Sequence, residues 1–87
     1  MASCDHLTAR SSTVPDARTP GGCEECIAAG TRWVHLRLCV DCGHVGCCDS
    51  SPMRHATAHH RSTAHPVVMS HEPGEDWRWC YEDRVQG

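Results

Sequence analysis

Regular alternation of apolar and polar positions is confined to a few short stretches of the chain. Over residues 33–40, Val34, Leu36, Leu38 and Val40 fall on one side and Trp33, His35, Arg37 and Cys39 on the other. That period of two predicts a half-buried strand, with Cys39 near its end and turned away from the aliphatic side. Residues 66–69 (Pro-Val-Val-Met) predict a second short strand. Residues 77–81 alternate again, with Trp77, Trp79 and Tyr81 on one side and Cys80 on the other. Between these two runs, Glu72-Pro73-Gly74-Glu75 reads as a turn. Ser50-Ser51-Pro52 has the form of a helix start, Ser51 as N-cap and Pro52 in the first turn, and predicts a helix running to about Arg61 or Ser62. Helical spacing puts His55 and His59 on one face and turns His60 about 100° away. Residues 8–22 are polar and punctuated by Pro15, Pro20, Gly21 and Gly22. They predict a surface loop, with order resuming at Cys23.

These elements cannot build much of a core. The 87 residues make one domain, spanning 1–87, with 39% hydrophobic residues, 5% aromatics and no Phe. A chain this short buries a modest fraction of its surface and needs a covalent or metal staple. Eight Cys supply the means for either, and eight His are interleaved with them. No apolar leader follows Met1, where Ala-Ser-Cys-Asp-His stands, so the sequence favours zinc over disulfides and predicts a cytoplasmic protein. Nothing is long and apolar enough to span a membrane, and no lipidation motif is present. The formal net charge is −3, carried with eight Arg and no Lys. Those Arg are scattered rather than gathered into a stripe, a poor footprint for nucleic acid. The absence of Lys, Asn and Phe beside plentiful Ala, Arg, Gly and His suggests a GC-rich coding sequence and hence a bacterial source.

The metal signal is specific. Cys23-x-x-Cys26 and Cys39-x-x-Cys42-Gly43 form two successive knuckles, each lacking two ligands. They are followed by Cys47 or Cys48, His55-x-x-x-His59 and His65, which can supply the rest. Gly43 directly after Cys42 suits the positive-φ reversal of a knuckle. Other chemistries fit poorly. Glu24 and Glu25 inside the first knuckle oppose the thiolate that a redox dithiol needs. His55-Ala-Thr-Ala-His59 has Ala56 where the metalloprotease helix carries its general-base Glu. No nucleophile elbow or phosphate-cradling loop is present, so no enzyme is predicted.

The same residues resemble the UBP-type zinc finger, the ubiquitin-binding finger of ubiquitin-specific proteases and of one class of histone deacetylase. The resemblance is carried by Cys4-Asp-His6, Cys23-x-x-Cys26, a Trp-containing strand, Cys39-x-x-Cys42-Gly-His-Val-Gly-Cys47, His55-x-x-x-His59, His65-Pro66 and Trp79-Cys80-Tyr81. It implies an α+β fold, a small zinc-stabilised domain in which a twisted antiparallel sheet is flanked by one or two short helices. It also implies zinc held in crossed fashion. Cys23, Cys26, Cys47 and His55 would form one site, and Cys39, Cys42, His59 and His65 another. A third would join Cys4, His6 and Cys80 to Asp83, which stands where many relatives have a further Cys. Four-ligand zinc is closed and structural. Cys48 is left as the spare thiol, or exchanges roles with Cys47; His35, His44, His60 and His71 are left as surface or supporting groups, His44 being placed to orient a site.

As to ligand, the resemblance implies a monomeric module that binds a protein or peptide by its free C-terminal tail, the Gly-Gly of ubiquitin in the family. Trp33, Trp79 and Tyr81 would line the pocket. The family's carboxylate-binding Arg is replaced here by Asp49, with Arg37 and Arg54 as possible substitutes. A bacterial source would lack ubiquitin, and the scaffold would then serve another tail or protein surface. Two other readings are a purely structural or accessory domain, with the Trp residues as core, and a redox- or zinc-responsive protein that uses Cys48.

Overall fold

The computed structural model describes residues 4–10 and 14–87. Five strands form one antiparallel sheet in the order β2-β1-β3-β4-β5. They are β1 (Leu36–Cys39), β2 (Val45–Cys47), β3 (Val67–Ser70), β4 (Arg78–Cys80) and β5 (Val85–Gln86). Three short helices pack around it, α1 (Asp5–Ala9), α2 (Glu24–Ala29) and α3 (His55–Thr63). Among the described residues no helix is long and apolar enough to cross a membrane.

The register decides what each face carries. Leu36 pairs with Cys47, Leu38 with both Val45 and Met69, and Val67 with Cys80, which in turn pairs with Val85. These side chains therefore share one face. Cys23 and Cys26 join Leu36, Leu38, Val45 and Cys47 in one buried cluster, while Cys4 and Val40 join Val67 and Cys80 in another, with Leu7 of α1 packed against it. Met69 touches both. So α1 and α2 cover this face. The opposite face carries Arg37, Gly46 and Cys39 on one side and Val68, Trp79 and Gln86 on the other. There α3 packs mainly over β2 and β1; along the Val68–Trp79–Gln86 row Val68 is buried, Trp79 partly exposed and Gln86 exposed.

Several elements differ from the sequence expectation. The strand predicted over 33–40 begins only at Leu36, and residues 31–35 are irregular. Val34 is exposed, and Val40, beyond the strand, belongs to the second cluster rather than the one holding Leu36 and Leu38. Among the described residues there are three helices, where one or two were expected. Thr8 and Ala9, expected in a loop, lie in α1, and residues 11–13 of that loop lie outside the described residues. The remainder of the loop is anchored, since Arg18 N–H donates to the Gly43 carbonyl at 2.9 Å. Gly43 has φ 83°, the left-handed turn expected for the knuckle. The signal for α2 was present in the sequence: Glu24 and Glu25 occupy its first turn and Gly30, at φ 72°, ends it.

The helix start at Ser51-Pro52 is overturned. α3 begins at His55, after Arg54 in a left-handed conformation (φ 50°). Buried Ser51 instead accepts the Val34 N–H through its hydroxyl at 2.8 Å. The first turn of α3 is met by sulfur, the His55 N–H donating to Cys47 Sγ at 3.1 Å. A buried sulfur at a helix N-terminus does the work that a capping hydroxyl does elsewhere.

Candidate metal centres and the aromatic face

Three groups of four ligand atoms converge, each group with all its atoms within 4.8 Å of one another. The first joins α2, β2 and α3. Cys23 sits at the N-cap of α2 and accepts the Cys26 N–H at 3.4 Å, Cys47 ends β2, and His55 opens α3. His55 Nδ1 lies 3.2, 3.3 and 3.5 Å from the sulfurs of Cys23, Cys26 and Cys47, and Cys26 and Cys47 sulfurs are 3.9 Å apart. A tetrahedral zinc with ordinary Zn–S and Zn–N bonds separates sulfurs by about 3.8 Å and sulfur from nitrogen by about 3.5 Å. The cavity is of zinc size and softness.

The second group brings Cys39 from the end of β1 and Cys42 from the following turn to His59 of α3 and to His65. Cys42 Sγ is 3.3 Å from His59 Nε2 and Cys39 Sγ is 3.4 Å from His65 Nδ1. The two groups interleave along the chain, and His55 and His59, one helical turn apart, go to different groups. The third ties the N-terminal segment to the end of β4. Cys80 Sγ lies 3.5 Å from His6 Nδ1, and Asp83 Oδ2 lies 2.8 Å from Cys4 Sγ and 3.2 Å from His6 Nδ1. Asp83 N–H donates to Cys80 Sγ at 3.4 Å. Here His6 and Asp83 are about half exposed, with side-chain exposures of 40% and 47%, whereas the sulfurs of the first group are buried.

All eight cysteines are free thiols. Burial pushes the Cys23 thiol up to about 12 and the Cys39 thiol up to about 11. Such thiols do not ionise alone at neutral pH and make poor redox nucleophiles, but a dication at the centre of each group would deprotonate them. Cys47 faces the first group. Cys48 points elsewhere, with its sulfur 3.5 Å from Ser51 Oγ.

One supporting pair spans the first two groups. Buried His44 meets both carboxylate oxygens of Glu25 through Nε2, at 2.7 Å each. Its ring stacks on His59 at 4.0 Å and 5°, while Glu25 lies 3.9 Å from Cys23 Sγ. The His44 contact holds the Glu25 carboxyl below its usual range despite burial, which acts the other way. Such contacts orient ligand side chains.

The Trp79 side of the second sheet face forms the other feature. Trp77, Trp79 and Tyr81 line an opening of about 210 Å³ together with Arg37, Cys48, Asp49, Val68 and Gln86. Arg37 stacks on Trp77, its guanidinium carbon 4.5 Å from the ring centre. Asp49 accepts the Thr57 hydroxyl of α3 at 2.5 Å, and that hydroxyl lies 3.4 Å from Tyr81 Oη. Tyr81 stacks on His60 at 4.5 Å and 13°. Trp33 does not join Trp79 and Tyr81 in either opening of this face. It packs over Gly22, where a Cβ would come within 2.7 Å of the indole, because β1 starts too late to carry it onto the sheet. Arg54 is likewise absent from the lining; of the two arginines expected to stand in for the missing one, only Arg37 is present.

A zinc-finger family described as occurring in ubiquitin hydrolases and other proteins matches residues 23–86. The chain belongs to this UBP-type zinc-finger family. A Rhodopseudomonas palustris protein whose structure was determined in solution by NMR is similar over 99% of this chain and 81% of its own, with 45% identity and a TM-score of 0.85. No curated protein matches the sequence. Family and cysteine–histidine clusters together make this a zinc-binding domain with three candidate sites.

Proposed function

We propose that the domain is a non-catalytic binding module, held together by zinc, that takes the free C-terminal tail of a protein or peptide on its aromatic face. In this reading each four-residue group closes one structural zinc, leaving no coordination position for a substrate. The observation that carries the proposal is the convergence of Arg37 with Trp77, Trp79 and Tyr81 on one opening. Flat aromatic walls accept an extended Gly-rich tail and exclude bulky side chains. A terminal carboxylate needs a cation, and Arg37 supplies one from β1 where the family's own arginine is replaced by Asp49. Asp49 is engaged by Thr57 and so serves to fix the wall rather than to meet the carboxylate.

The test is an NMR titration of the zinc-loaded chain with a peptide ending in free Gly-Gly and with the same peptide amidated. Shifts at Arg37, Trp79 and Tyr81 with the free form alone are expected; equal response to both forms defeats the reading. A structural role without a ligand is the second reading, favoured by the internal stacking of Arg37 on Trp77 and of His60 on Tyr81. It predicts that Trp79→Ala unfolds the domain instead of weakening binding.

A further inference from the structure

The opening that holds Arg37 does not end at the aromatic wall. Trp79, Tyr81 and Asp49 also line a second opening of about 350 Å³, whose other walls include Thr57, His60, Arg61 and Arg84. The two openings therefore adjoin across one pair of rings, and an extended chain lying over Trp79 and Tyr81 would enter both. Their charge is one-sided. Arg37, Arg61 and Arg84 stand against the single carboxylate of Asp49, in a chain whose net charge is −3.

Arginine ion pairs among the described residues are those of Arg10 with Asp41 at 2.6 Å and Arg18 with Glu24 at 3.1 Å; Arg32, Arg54 and Arg78 are unpaired as well, but they line neither opening. Among the described residues, Arg37 donates only to the Leu36 carbonyl, and Arg61 and Arg84 have no carboxylate within ion-pair distance. Of the acids in the turn, Glu82 is directed to His60 at 3.5 Å and Asp83 to Cys4 and His6. Arg84 itself has φ 54°, a left-handed conformation in which turn geometry favours Gly or Asn. The turn gains nothing from an arginine there, whereas the second opening gains a cation.

We infer that the partner's tail is acidic upstream of its terminus: the terminal carboxylate lies at Arg37, and an Asp or Glu side chain several residues earlier lies between Arg61 and Arg84. This rests on the tail-binding reading and adds to it the chemical class of the sequence preceding the terminus. Opposite charge across a partly exposed face acts mainly through selection among partners and association rate, and salt weakens it.

The experiment uses the full zinc-loaded chain and peptides that share a free Gly-Gly end but carry Asp/Glu, Ser/Ala or Lys/Arg upstream, plus the acidic peptide amidated. Calorimetry or NMR titration should show the acidic peptide binding about tenfold tighter than the neutral one and the basic peptide weakest, as two exposed charge contacts allow. The gap should shrink with added salt and close in the Arg61→Gln/Arg84→Gln double variant, whose zinc content and amide spectrum establish that it is folded. Equal affinity for acidic and neutral peptides, with continued dependence on the free terminus, overturns the acidic preference and leaves tail binding standing. Equal binding of the amidated acidic peptide overturns the terminal contact at Arg37 and leaves the preference for acidic side chains at Arg61 and Arg84. Binding of no peptide overturns both.

Discussion

Gly46 of β2 lies against the backbone of α3, and changing it to Ala gives a sharp test of the architecture around the first metal centre. A Cβ at Gly46 would lie 2.6 Å from the backbone nitrogen and 2.7 Å from Cα of Ala56, and 3.0 Å from the His44 ring. The obstructing atoms are backbone of α3, which cannot swing aside as the tip of a flexible side chain could. The expected cost therefore sits near the top of the range for overpacking, about 3 kcal/mol. In a domain of this size that lowers the melting temperature by roughly 10–20 °C. Cys47 follows Gly46 and His55 precedes Ala56, so the strain also separates two ligands of the first centre. If the strain falls entirely there, zinc affinity drops about a hundredfold. Competition with a chromophoric chelator measures the second effect and thermal melting at saturating zinc the first. Gly21→Ala is the control, since nothing lies within 4 Å of a Cβ at that position and its change should stay within about 0.5 kcal/mol. Should Gly46→Ala melt and release zinc like Gly21→Ala, the packing of α3 on β2 described above is wrong.

Removal of zinc by a strong chelator is expected to abolish the far-UV signal, because structural zinc is worth about 10–16 kcal/mol against a typical domain stability of about 5–15 kcal/mol; an unchanged spectrum refutes this. Asp83→Ala should lower the zinc stoichiometry by one and loosen α1 while leaving amide resonances of β1, β2 and α3 in place, and loss of all zinc together would show that the third group is not separable. Cys48→Ser should retain every zinc, and Cys47→Ser should lose one; metal analysis by mass spectrometry decides, and the reverse pattern would exchange their roles. The single tyrosine, Tyr81, is partly buried, and desolvation raises its pKa above the usual 10. A raised folded-state pKa means stability fully present below about pH 10 and lost as pH rises through the folded value, so ultraviolet titration should show Tyr81 ionising later in the native chain than in the denatured one, and coincident curves would contradict its packing under His60.

The ligand pairs were legible because they depend on short-range spacing, whereas their sorting into three groups was implied by the family resemblance alone. Cys23 and Cys26, like Cys39 and Cys42, are held together by one turn of chain whatever the rest does, and His55 and His59 share a helix face by geometry alone. The alternation of Trp77, Trp79 and Tyr81 with Cys80 likewise survives intact, aromatics to one face and thiol to the other, since a strand's period of two needs no tertiary information. Long-range contacts overrode local signals at other points. Ser51-Pro52 carries a proper helix-start pattern, but the sulfur of Cys47 reaches the His55 N–H first and moves the start along the chain. Trp33 reads as part of a strand, but the sheet register begins at Leu36. No spacing rule connects Asp49 to Thr57, His44 to both Glu25 and His59, or Arg61 and Arg84 to the rings beside Arg37. Those meetings exist only because β1, β3 and β4 pair in one register and α3 lies across the sheet. Which short pairs can offer ligand atoms is thus written in covalent spacing, while the sorting of those pairs into sites, which the family resemblance implied and spacing did not, and the charge and shape of the aromatic face come from residues far apart in the chain that the folded sheet brings together.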